Sequence, residues 1–170
     1  KVLNWQLLNL YNKLNFSKFN YFDEIFLKLL IKFYQRKDGL FMDQVKTRSL
    51  QYHNFSLFIL LKIFDKNRSI KFLEKSIKKG MRLSISMILC DGTSNYIGRG
   101  QEQIFGYASL IGALKIYSQI YNEDIDCELR KLLNKIRNFQ KKEGFIPLIL
   151  RSKNVEEEMI FYCLLYTSDA

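Results

Sequence analysis

The sequence is short of the residues that usually announce a function. Of its 170 residues, one is proline, one is histidine, one is tryptophan and three are cysteine. A single histidine and three scattered cysteines, Cys90, Cys127 and Cys163, give no metal-ligand spacing and no disulfide framework. Gly98-Arg99-Gly100 has no strand pattern before it, so it is not a dinucleotide fingerprint. No apolar stretch is long and clean enough to span a bilayer. The scarcity of proline and a hydrophobic share of 48% exclude a disordered chain. The sequence therefore implies no cofactor and no metal.

What is abundant is lysine, and the formal net charge is +10. Such a balance invites a nucleic-acid reading. The distribution argues against it, because Lys28, Lys32, Lys62, Lys71, Lys75 and Lys115 are spread singly along helical patterns. The densest pairs, Lys78-Lys79 and Lys141-Lys142, fall near expected helix ends, where cations complement the backbone dipole. Nucleic acid is not an expected partner.

The ends carry their own signal. Residues 163–170, CLLYTSDA, look like the in-frame translation of a sequencing adapter and are set aside from fold reasoning. The first residue is Lys1, not Met. Residues 1–162 are expected to be one fragment of a longer protein, of unknown compartment and oligomeric state.

Helical periodicity runs through the chain. The spacing predicts helices over 1–14, 21–37, 52–64, 70–89, 101–121 and 125–142. The second has an apolar stripe of Phe22, Ile25, Phe26, Leu29, Leu30 and Phe33, expected to face inward. The third, from Phe55 to Phe64, is apolar almost all round, which predicts burial on every side. In the fourth, Ile70, Leu73, Ile77 and Met81 share a face, and Gly80 weakens or bends it. In the fifth, Ile104, Ala108, Ile111, Leu114 and Tyr117 form a stripe, with Gly106 and Gly112 suggesting close helix packing. The sixth sets Leu129, Leu132, Leu133, Ile136 and Phe139 against charged residues.

An acid followed by glycine ends three of these helices: Asp38-Gly39, Asp91-Gly92 and Glu143-Gly144. The acids lie 53 and then 52 residues apart, and each interval holds a buried helix followed by an amphipathic one. Repetition at that period is the mark of stacked supersecondary units. The expected fold is all-α, a tandem of about three antiparallel helical hairpins over 1–162 with the apolar helices inside.

One stretch combines special backbone needs with polar side chains: DGTSNYIGRGQEQIFGYASLIGAL, from Asp91 to Leu114. Its Asp91-Gly92-Thr93-Ser94, Tyr96 and Gly98-Arg99-Gly100 resemble the loop that carries a catalytic tyrosine and an arginine in hyaluronate-lyase-like enzymes. Tyr52-His53-Asn54 is similar to the His/Asn elements of toroid lyases. The architecture as a whole resembles the (α/α) toroid enzymes of polysaccharide breakdown. These include heparinase- and alginate-lyase-like proteins and six-hairpin glycosidases. The order and spacing of the elements match no one of these families, and a toroid has five to seven hairpins. The resemblance implies a partial toroid and a polysaccharide or oligosaccharide substrate.

Elimination at a uronic acid needs a group that neutralises the carboxylate, and a base and acid to move the proton. The resemblance and the residue types together offer Tyr96, His53 and Arg99 as the catalytic set. Tyr52, Asn54, Asn95, Gln101, Gln103 and Tyr107 are the substrate-binding candidates. A glycosidase needs two carboxylates instead, and Asp43, Asp91 and Glu102 are the loop-end candidates. The third alternative is a helical repeat module that binds glycan or protein without catalysis.

Overall fold

The computed structural model describes residues 2–16 and 19–150. Residues 163–170, the adapter-like tail, lie outside the described residues. Six helices follow one another: α1 (Leu3–Phe16), α2 (Tyr21–Tyr34), α3 (Leu50–Lys66), α4 (Lys71–Ser86), α5 (Ile104–Tyr121) and α6 (Asp126–Phe139). The described residues contain no strand, only two isolated antiparallel bridge pairs, Gln35 with Phe41 and Gln103 with Ile149. The fold is all-α.

The packing is a row of three hairpins. α1 packs on α2, α3 on α4 and α5 on α6. The inner helices stack in chain order, with α3 between α1 and α5. Helix α3 buries most of its surface, including Leu57, Leu60, Leu61 and Ile63, but not all of it: Tyr52, Phe55, Phe58 and Lys62 run down one face as a half-buried stripe, where the sequence predicts burial on every side. Small residues set the approach of α3 and α5. A Cβ on Gly112 would lie 2.7 Å from the Phe58 ring, and one on Gly106 would lie 3.1 Å from the Gln51 side chain as well as 2.6 Å from the Asn95 amide of the preceding loop. Gly80 works the same way in α4, where a Cβ would meet Leu57 at 2.8 Å.

The periodic acid-glycine signal is a repeated turn with one hydrogen-bond pattern. The N–H of Arg36 donates to Leu40 O at 2.9 Å and Gly39 N–H to Arg36 O at 3.0 Å. Leu89 with Thr93, and Gly92 with Leu89, repeat the pair at 2.9 and 3.0 Å. Lys141 with Phe145, and Gly144 with Lys141, repeat it again at 2.8 and 2.9 Å. The glycines sit at φ +105°, +84° and +88°, the left-handed region that a Cβ disfavours. The aspartates fix the bend: Asp38 Oδ1 accepts from Leu40 N–H and Asp91 Oδ1 from Thr93 N–H.

These turns also set the stacking. A Cβ on Gly39 would lie 2.6 Å from the Lys79 carbonyl oxygen on α4, and one on Gly92 would lie 2.2 Å from the Lys131 carbonyl oxygen on α6. Each turn thus rests on the outer helix of the next hairpin. At Gly144 the same position meets none of the described residues within 4 Å.

Burial departs from the expected stripes in three places. On α2 the buried face is Leu27, Leu30, Ile31 and Tyr34. Phe22, Ile25, Phe26, Leu29 and Phe33 point outward, with Phe22 77% and Phe33 68% exposed. The helix is apolar round most of its circumference, so periodicity could not choose a face; contact with α1 and α4 does. On α5 the buried set is Tyr107, Leu110, Ala113, Leu114 and Tyr117, and Ala108 is exposed. On α6, which packs on α5, only Leu132 is fully buried.

Candidate functional site

The three inner helices begin at the same end of the row, and their first turns enclose a cleft of about 500 Å³. Asn4, Trp5 and Leu8 come from α1, Gln51, Tyr52 and Phe55 from α3, and Ile104 and Phe105 from α5, with Gln103 just before it and Leu148 closing one side. The helix starts are tied to the loops around them. Leu3 N–H donates to Asp43 O at 3.0 Å, and Ile104 N–H to Leu148 O at 2.8 Å. Ser49 caps α3: its hydroxyl accepts from Tyr52 N–H and donates to Arg99 O at 2.7 Å. The Phe55 and Phe105 rings meet at 4.7 Å between centroids.

The cleft joins aromatic faces to side-chain amides, and among the described residues no carboxylate or ammonium group lines it. One amide is unsatisfied. Gln51 is 2% exposed and its Oε1 has no hydrogen-bond partner. An unmet buried acceptor costs about 1–3 kcal/mol, and this one lies packed against the Gly100 loop.

Arg99 stands beside the cleft. Its Nη2 donates to Asp43 Oδ2 at 2.8 Å, and its guanidinium lies 5.0 Å over the Tyr52 ring. Asp43 is fully enclosed, and burial pushes its carboxyl upward more strongly than Arg99 draws it down. The glycines flanking Arg99 bring the loop against α3. A Cβ on Gly98 would sit 1.9 Å from Arg48 O, and one on Gly100 would sit 2.6 Å from the Gln51 amide.

Three other expected site residues form a chain beneath the cleft. His53 is fully buried, and its Nδ1 accepts from Phe41 N–H at 2.9 Å. The ring is therefore neutral with its proton on Nε2, which lies 3.1 Å from Ser84 Oγ. Ser84 Oγ donates to Asn54 Oδ1 at 2.8 Å, and Asn54 Nδ2 donates to Asn95 Oδ1 at 2.9 Å. Burial depresses the His53 pKa to about 4, against a smaller opposing pull from the Gly80 backbone.

The rest lie apart. Tyr96 is half-buried and its hydroxyl meets Met87 Sδ at 3.2 Å. Tyr107 is fully buried, donates to the Glu102 carboxylate at 2.9 Å and accepts from Ser94 N–H at 3.3 Å. Burial first, and Glu102 second, raise its phenol above the usual range. Lys135 Nζ stands 3.5 Å from Glu102 and 3.8 Å from Asp91. Gln101 is half-buried outside the cleft lining.

Of the nine expected site residues, the cleft gathers Tyr52 and Gln103, with Arg99 stacked on Tyr52. Asn4, Trp5, Gln51, Phe55 and Phe105 were missed. A signal was present: Asn4-Trp5 and Gln51-Tyr52 are amide-aromatic pairs opening successive inner helices. Among the described residues no group of His, Cys, Asp or Glu is placed to hold a metal, and no helix is long and apolar enough to cross a membrane. Comparison with protein-family models, curated proteins and solved structures finds no match.

Proposed function

We propose that the chain is a carbohydrate-recognising helical-hairpin array, part of a toroid-like carbohydrate-active protein, and that the cleft holds an oligosaccharide. The observation that supports this most is the cleft wall, where the Trp5, Tyr52, Phe55 and Phe105 rings stand beside the Asn4 and Gln103 amides. Sugar rings present C–H faces that pack on aromatic side chains, and their hydroxyls donate to amide oxygens. A mostly apolar cleft with a few converging polar groups is the usual form of a small-ligand site.

The test is calorimetric titration of a panel of neutral and uronic-acid oligosaccharides into the full chain and into Trp5→Ala. The expected result is measurable binding of at least one saccharide and a loss of tenfold or more in the variant. No binding across the panel would sink the proposal.

A second reading is β-elimination at a uronic acid, favoured by the Arg99 guanidinium over the Tyr52 ring at the edge of the cleft. Tyr52 would take the proton from the carbon beside the carboxylate. The released electron pair forms a C=C bond, the C–O bond to the leaving sugar breaks, and the leaving oxygen gains the proton. Arg99 would face the carboxylate. His53 and Tyr96 have no part in this version, because neither reaches the cleft. The readout is ultraviolet absorbance of the unsaturated product, lost in Tyr52→Phe and Arg99→Ala. Hydrolysis has less support, since no carboxylate among the described residues lines the cleft.

A further inference from the structure

We infer that the ion pair of Asp43 and Arg99 makes the cleft select neutral saccharides over uronates, with Asp43 setting that choice through Arg99. The inference rests on the reading of the cleft as an oligosaccharide site. It opposes elimination at a uronic acid, which needs Arg99 to take a carboxylate.

The pair is held together. Asp43 lies in the loop between α2 and α3, and its side chain is 0% exposed. Arg99 Nη2 donates to its Oδ2 at 2.8 Å, while Oδ1 has no partner among the described residues. Arg99 is thus the cation that compensates this buried charge. Drawing it away to a ligand carboxylate would leave Asp43 uncompensated, which is strongly unfavourable in a site closed to water. Both partners are also anchored. Asp43 O accepts from Leu3 N–H at 3.0 Å, at the start of α1. Arg99 O accepts from the Ser49 hydroxyl at 2.7 Å, and the guanidinium stacks 5.0 Å over Tyr52.

A ligand seated on Tyr52 therefore meets a guanidinium whose charge is already matched. A uronate there is drawn by Arg99 and repelled by Asp43, whose enclosed charge water screens poorly. A neutral sugar meets no such repulsion. Its hydroxyl oxygens accept from the guanidinium fork, of which 34% of the side chain is exposed, and its ring packs on the aromatic wall. Lys46 and Arg48 share the loop of Asp43, but both are exposed and neither lines the cleft. Salt at about 0.15 M screens such exposed charges beyond roughly 8 Å.

The test is calorimetric titration of the full chain near neutral pH, in about 0.15 M salt. The probes are matched short oligomers of glucose and glucuronate, galactose and galacturonate, and mannose and mannuronate. Each pair differs only in a hydroxymethyl or a carboxylate on the ring. The wild type should bind a neutral member about fivefold more tightly than its uronate, or better. Asp43→Asn keeps the shape and an acceptor for Arg99 but removes the charge. Its uronate-to-neutral affinity ratio should rise about tenfold. The double variant Asp43→Asn, Arg99→Gln should cancel that rise. A purely structural loss weakens both ligands alike and leaves the ratio unmoved, and circular dichroism checks the fold. The wild-type preference needs no variant and decides by itself. Uronates bound as tightly as their neutral partners by the wild type, or a ratio unmoved in a folded Asp43→Asn, would overturn the inference and leave the oligosaccharide reading standing. Binding in neither series would overturn both.

Discussion

Phe41 and His53 are joined by a backbone N–H that donates to the ring nitrogen Nδ1 at 2.9 Å, with the two rings stacked 5.8 Å apart. The turn after the first hairpin is thereby fixed to the second inner helix. Protonating Nδ1 would set two N–H groups against each other in a site closed to water.

This gives a pH prediction. The folded pKa of His53 is about 4 against an ordinary value of 6.5. A depressed histidine stabilises the fold fully above its unfolded pKa, and that stability is lost as pH falls toward the folded value. Chemical denaturation should show stability declining between pH 6.5 and 4, by roughly 3 kcal/mol at the limit. His53→Gln should remove that dependence, and a slope unchanged in the variant would count against the assignment.

Glycine substitutions should rank by what the new Cβ meets. Gly98→Ala drives a methyl into the Arg48 carbonyl, where the ideal Cβ position is 1.9 Å from the oxygen. It should cost roughly 3 kcal/mol or more. Gly144→Ala meets none of the described residues within 4 Å and carries the left-handed penalty, about 1 kcal/mol. Equal losses in thermal melts of the two would refute the ranking.

Helix α2 offers the clearest contrast between sequence and fold. Leu27 is completely buried, so Leu27→Ala should cost about 2–5 kcal/mol. Phe33→Ser, on the exposed stripe, should change stability by less than about 0.5 kcal/mol and raise solubility. Denaturant midpoints decide the matter; a larger loss for Phe33 would restore the inward stripe.

Tyr107 and Glu102 make a fourth case. The phenol spans both carboxylate oxygens, and Glu102 holds φ +56°. Tyr107→Phe keeps the ring but leaves the nearly buried carboxylate and Ser94 N–H short of a partner. A loss of about 1–3 kcal/mol is expected, measured by urea denaturation with helix content unchanged.

The helices and the hairpin order were legible because they rest on local rules. The acid-glycine stops recur where a left-handed residue is needed, all three turns share one backbone hydrogen-bond pattern, and at the first two the aspartate also accepts from the backbone. The face of α2 was not legible, because Phe22 and Leu27 are equally apolar and only neighbouring helices distinguish them. Which of the expected polar residues share the cleft was not legible either, for a related reason. Tyr52, Arg99 and Gln103 sit at helix starts or in the glycine loop and reach the cleft region. His53 and Asn54 occupy the same first turn of α3 but point to its buried side. Residues one step apart on a helix differ by about 100° in direction, so adjacency in sequence did not mean adjacency in the cleft. Trp5 was passed over as a helix residue although its ring is 66% exposed.

The chain from Phe41 through His53, Ser84 and Asn54 to Asn95 draws its members from the first turn, both helices of the second hairpin and the loop into the third. Stacked repeats ordinarily fray from their ends, each unit depending only on its neighbours. Here, opening either end exposes a polar partner of the middle hairpin, so the three units share one unfolding event. Amide protons in α3 should then exchange only with the whole row, and the row should melt as a single cooperative body.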